Sequence, residues 1–215
     1  MTSDRSRLRT AWDEFVGPEA TPLDNTLTLG TGLVGLVLAP SLSRAARALS
    51  RAEAALLRVL AADLWGGVVA NNTRACARWY ERPGQTDADH LRFAAAHLHP
   101  LLIAFLSRRT PGARVAGGVG AVARYSYLLL ATVLIRRASG DRRRVAAVAL
   151  TLAGIVLDRA LGPAAVAPWF GPVYFAKLLL GHAGAALWPV QPAGSTPRGN
   201  RARSQSSSST ARSKE

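Results

Sequence analysis

The chain has 215 residues, of which 49% are hydrophobic and 19% charged, and its net charge is +14. Charged residues fall below the roughly 25% usual in soluble domains. Of the 27 basic residues only Lys177 and Lys214 are lysine. A soluble nucleic-acid binder would gather its arginines on one face. Here they punctuate apolar runs, which argues against nucleic acid and for a lipid bilayer with anionic headgroups as the partner. Cys76 is the only cysteine, so an intrachain disulfide and a cysteine-based zinc site are both excluded.

In chain order, residues 1–24 come first. Leu8, Ala11, Trp12, Phe15 and Val16 recur at helical spacing between flanking arginines and Pro18. This pattern predicts a short amphipathic helix, lying on the membrane surface or on the bundle's own loops. Asp4, Asp13, Glu14, Glu19 and Asp24 do not suit a cleaved leader, so the apolar run that follows is read as an uncleaved span.

That run, Asn25 to Ser43, holds no charge, and at 1.5 Å per residue it nearly crosses a hydrocarbon core about 30 Å thick. Less pure candidates follow at Ala55–Asn72, Phe93–Ser107, Val115–Ile135, Val145–Leu161 and Trp169–Leu187. The expected fold is therefore an all-α, polytopic integral membrane bundle of six transmembrane helices over 25–188. It becomes five if one weak segment lies in the interface. Seventeen Arg and Lys fall in the termini and even-numbered loops, against eight in the opposite loops. This bias predicts a multi-pass protein of the cell membrane with both termini in the cytoplasm. From 189 to 215 the chain becomes rich in Ser, Arg and Pro and loses its apolar residues, which predicts a disordered basic tail.

Charges inside these runs are the candidate site. A charge at bilayer depth costs roughly 2.5–3.5 kcal/mol on insertion scales, so it is retained for a reason. On a helical projection Asp63 shares a face with Gly67, Ala70 and Arg74, Arg124 with Gly117 and Gly120, and Lys177 with Gly181 and Gly184. Small-residue faces let membrane helices approach closely, and they also suit self-association into a homo-oligomer. The three charges are expected to point inward, with Asp63 pairing with Arg124 or Lys177.

His97 and His99 lie beside Pro100, and His182 lies five residues past Lys177, about 140° round an α-helix. Histidines of ordinary pKa suit proton relay or metal binding. His90 and His97, with Asp87 and Asp89, form a weak metal candidate, because a lone Asp-x-Asp carries little specificity. Asn71, Asn72 and Arg74 at the end of the second span read as a helix leaving the membrane or as the mouth of a polar cavity. No Walker loop, Rossmann fingerprint, His-Glu-x-x-His or Gly-x-Ser-x-Gly element occurs, and neither a catalytic residue nor a cofactor is expected.

Three functional classes fit these residues. The first is a small transporter or channel-like protein with an intramembrane polar cluster: Asp63, Asn71, Asn72, Arg74, His97, His99, Arg124, Lys177 and His182. The alternatives are a membrane-embedded metal-dependent enzyme and a structural or interaction protein.

Overall fold

The computed structural model describes residues 2–110 and 113–188, with side chains from 7 to 110 and from 117 to 188. The expected disordered tail lies outside the described residues. Those described are all-helical, with a single isolated bridge between Ala164 and Ala167 and no longer strand. The helices are α1 (Thr2–Val16), α2 (Pro22–Leu38), α3 (Arg51–Ala70), α4 (Arg74–Tyr80), α5 (Asp87–Ala96), α6 (His99–Ser107), α7 (Ala113–Arg137), α8 (Asp141–Ala160) and α9 (Phe170–Phe175). A π-helical segment, Ala176–Ala183, continues α9.

Local chemistry sets several starts. Thr21 with Asp24, Ser50 with Glu53, and Thr86 with Asp89 each form a reciprocal capping box at the heads of α2, α3 and α5. Pro22 occupies the first turn of α2, where its missing N–H costs nothing. The third expected span is two helices rather than one. The chain leaves helical geometry at His97 (φ −84°, ψ 66°) and restarts at His99, with Pro100 in the new first turn. Proline cannot donate to the carbonyl four residues earlier, so a break there follows from its chemistry.

Two stretches, Pro22–Leu42 and Gly117–Arg137, are long and apolar enough to cross a membrane. The remaining expected spans are shorter or carry more charge. Only 17% of the window in the first stretch is buried, so it is not a core helix of a soluble fold. Its exposed face carries Leu23, Leu27, Leu29, Leu33 and Val37, and α6, α7 and α8 likewise expose Leu102, Phe105, Leu130, Leu134, Leu152 and Val156.

The buried centre is α9 and its π continuation. Phe170, Tyr174, Phe175, Leu178 and Leu179 are each 1% exposed or less, packed by α3, α7 and α8. Across the bundle, α2 lies closely along α3. A Cβ at Gly35 would stand 2.7 Å from the Ala61 carbonyl oxygen and 2.8 Å from Trp65 Cβ, whereas one at Gly30 would meet nothing within 4 Å. Gly35→Leu should therefore push α2 off α3 and cost about 2 kcal/mol by overpacking. Gly30→Leu should leave stability near wild type; thermal unfolding of both variants in detergent, followed by tryptophan fluorescence, checks the contrast.

Candidate functional site

The polar residues of the spans form two separate centres. In the first, Lys177 on the π segment is 1% exposed and donates to Asp63 Oδ2 of α3 at 2.6 Å. The Asp63 backbone oxygen lies 3.4 Å from the same ammonium. His99 Nε2 stands 3.1 Å from the same carboxylate oxygen, so a cation and an imidazole converge on Asp63. The approach is possible because Gly67 has no side chain: a Cβ there would fall 2.4 Å from Lys177 Cε.

Asn71 and Asn72 close the same junction. Asn71 Nδ2 donates to the Lys177 carbonyl at 3.2 Å, and Asn72 Nδ2 to the Ala176 carbonyl at 3.3 Å. Both bonds fall where the chain passes from α9 into the π segment. Trp188 Nε1 donates to the Asn72 carbonyl at 2.7 Å, tying the end of this element back to α3. Arg74, on the expected face, is instead exposed at the first residue of α4.

The histidines sit in a row beside this pair. His97 Nδ1 donates to the Phe93 carbonyl at 2.7 Å, and its own carbonyl accepts from the Tyr174 hydroxyl at 2.9 Å. The rings of His97 and His99 stack at 5.4 Å, those of Phe93 and His97 lie 4.5 Å apart, and Phe93 stacks on His182 at 3.8 Å. His182 and His90 follow at 4.8 Å, with Tyr80 against both.

The π geometry corrects the expected orientation of His182. With i→i+5 bonding, residues five apart lie about one turn apart, as residues four apart do in an α-helix. Lys177 and His182 are thus nearly in register, not 140° apart. Among the described residues none of the four ring nitrogens of His90 and His182 has a hydrogen-bond partner, although the two residues are 0% and 1% exposed. Buried nitrogens of this kind are sites for internal water or for a proton.

At its outer end the row reaches a charged cluster that sequence reasoning missed. His90 Nε2 lies 3.9 Å from Glu81, whose carboxylate is held by Arg136, and Arg143 Nη1 donates to it at 3.2 Å. Arg136 Nε also donates to Asp87 Oδ1 at 2.8 Å, and Asp87 is exposed. The signal present in the sequence is the five arginines of Arg136–Arg144, which the charge bias counts toward the cytoplasmic side without a partner for any of them.

Asp89 caps α5 through Thr86 and pairs with Arg92 at 2.6 Å, away from His97. Among the described residues, no three His, Cys, Asp or Glu side chains converge as a metal site requires. Burial pushes the Cys76 thiol up to about 12, so little nucleophilic thiolate forms at neutral pH.

The second centre holds Arg124, which does not meet Asp63. Arg124 Nε donates to Asp158 Oδ1 at 2.7 Å, and Nη2 donates to the carbonyls of Gly162 at 2.6 Å and Asp158 at 3.3 Å. Asp158 is 1% exposed and packs against Gly171, where a Cβ would lie 2.1 Å from its Cγ. Read from the sequence, Asp158 is only one more carboxylate that could join the histidines at a metal, with no pairing to Arg124. The relevant contact spans 34 residues, beyond the reach of a single-helix projection.

Known protein families, curated proteins and solved structures were compared with this chain, and none matches.

Arg124→Met should leave the Asp158 carboxylate buried without its cation and cost roughly 3–5 kcal/mol. Adding Asp158→Leu should recover much of that loss, which a double-mutant unfolding series in detergent measures. His90 supplies a pH prediction. Burial, helped by the Arg136 charge, pushes its imidazole down from 6.5 to about 4. The unfolded chain protonates first as pH falls, so the stability this neutral histidine contributes is complete above 6.5 and lost between 6.5 and about 4. His90→Phe should therefore show a smaller fall in Tm than wild type across that interval.

Proposed function

We propose that this chain is a multi-pass protein of the cell membrane whose interior passes protons to and from the Asp63–Lys177 pair, as a small proton-coupled transporter or proton channel. One observation carries the reading: the His90, His182, His97 and His99 row that runs from the exposed Asp87 side to the partly buried Asp63 carboxylate and the buried Lys177 ammonium. The apolar residues exposed on α2, α6, α7 and α8 support the bilayer as surrounding medium, since extensive exposed apolar surface marks contact with a membrane or a partner. The arginine bias supports a cytoplasmic location for the Glu81–Asp87–Arg136 cluster, with both termini on the same side.

The chemistry follows from the partners. A proton entering near Glu81 meets His90 and then His182, with internal water filling the unpartnered ring nitrogens. Phe93 lies between His182 and His97 and carries no proton, so transfer across that gap to His97 and then His99 runs through water beside the ring. His99 Nε2–H faces Asp63 Oδ2, so a protonated His99 delivers its proton to that carboxylate and returns to the neutral ring. Protonated Asp63 no longer attracts Lys177, whose ammonium is left without its counter-charge in an apolar core. The pair thus has two states that differ by one proton, which is what coupling to a solute or a gate requires.

Reconstitution into liposomes holding a pH-sensitive dye tests this. Wild type should dissipate an imposed proton gradient; His182→Phe should slow the dissipation at least about tenfold while unfolding like wild type, and so should Asp63→Asn combined with Lys177→Met, which leaves no unpaired ammonium in the core. Unchanged flux in both folded variants would remove the proposal. Failure of Asp63→Asn and Lys177→Met to fold singly, with recovery in the double variant and wild-type flux, would assign the pair to packing alone.

A further inference from the structure

The bundle holds a cavity of about 150 Å³ at the opposite end from Glu81, between α6, α7 and the turn at 161–165. Its apolar lining includes Pro100, Ala104, Leu161, Pro163 and Phe170. Its polar lining includes Arg124 and Ser107, both buried, at 6% and 4% exposed. Gly162 and Pro163 are exposed, so the mouth opens through this turn.

Two donors there lack acceptors. Arg124 spends Nε on Asp158 and Nη2 on two backbone carbonyls, but Nη1 makes no hydrogen bond among the described residues. That nitrogen lies over Gly120, where a Cβ would stand only 2.7 Å away. Ser107 Oγ is buried without any partner. A buried hydroxyl and one arm of a guanidinium, both lining the cavity, call for an acceptor that the described residues do not supply.

We propose that this cavity binds a short-chain monocarboxylate, its carboxylate accepting from Arg124 Nη1 and Ser107 Oγ and its tail lying on Pro100, Leu161 and Phe170. Size and polarity select this class. A cavity of 150 Å³ holds a benzene-sized molecule, that is, about six heavy atoms. Inorganic phosphate would leave the apolar wall bare, and a dicarboxylate would bury its second charge against it. Asp158 neutralises the guanidinium overall, so the ligand is held by two directed donors rather than by net positive charge. The site is independent of the proton pathway, because Asp63, Lys177 and the histidines do not line it.

The test is ¹⁹F NMR of 4-fluorobutyrate, one atom larger than butyrate, with the full chain in detergent. Saturable line broadening is expected, displaced by butyrate but not by 1-butanol or inorganic phosphate. Ser107→Ala should weaken binding by roughly fivefold, the effect of one hydrogen bond. Gly117 also lines the cavity, so Gly117→Leu should abolish binding by filling it. A side chain at Gly117 meets nothing within 4 Å, so this variant should unfold like wild type. Absence of saturable broadening, equal displacement by butanol or by phosphate, or undiminished binding in folded Gly117→Leu would each overturn the proposal.

Discussion

The Lys177 ammonium lies inside an apolar bundle, and much of the interior is arranged around neutralising it. An ion of that size cannot remain in a low-dielectric core without a counter-charge and further hydrogen bonds. Asp63 supplies both the carboxylate and a backbone oxygen. Gly67 supplies the room, because any larger residue on that face of α3 would occupy the path of the lysine side chain. Asn71 and Asn72 hold the backbone of the lysine itself, so α3 fixes both ends of one side chain.

The π segment is the second half of this arrangement. A π turn is rare and usually persists at functional sites, since its hydrogen bonding is poorer than that of an α-helix. Here it aligns Lys177 with His182 and turns His182 into the aromatic pocket of Tyr80 and Phe93. Continued as an α-helix, the same residues would point well apart and the histidine row would lose its middle member. The break before Pro100 serves the same end, since it sets His97 and His99 on a non-helical corner where their rings stack.

The two polar centres differ in how fully they are satisfied. Arg124 and Asp158 lock α7 to α8 and to the turn at Gly162, with one guanidinium nitrogen and one carboxylate oxygen left over. Asp63, by contrast, takes its charge-assisted bonds from Lys177 and His99, both titratable, and its side chain is only partly buried. A guanidinium stays protonated under all ordinary conditions, whereas an imidazole and an amine beside a carboxylate can redistribute a proton. That difference makes the Arg124–Asp158 pair a fixed ionic contact and surrounds Asp63 with titratable partners.

The all-helical class, the position of each apolar run and the presence of charges within them were legible from the residues alone. Hydropathy and helical periodicity are local properties, and so are the capping boxes that start α2, α3 and α5. Small residues beside Asp63 and Lys177 also marked faces able to approach closely. The partners were not legible in the same way. Arg124 to Asp158, Arg136 to Glu81, and His182 to His90 join segments from 34 to 92 residues apart, and no single-helix projection contains that information. The π turn could not be read either, because its register depends on Asn71, Asn72 and Arg136 drawing carbonyls out of line from other helices. Sequence therefore determined which residues are apolar, helical and charged. Tertiary structure decided which charges meet, since that depends on helices packing in three dimensions.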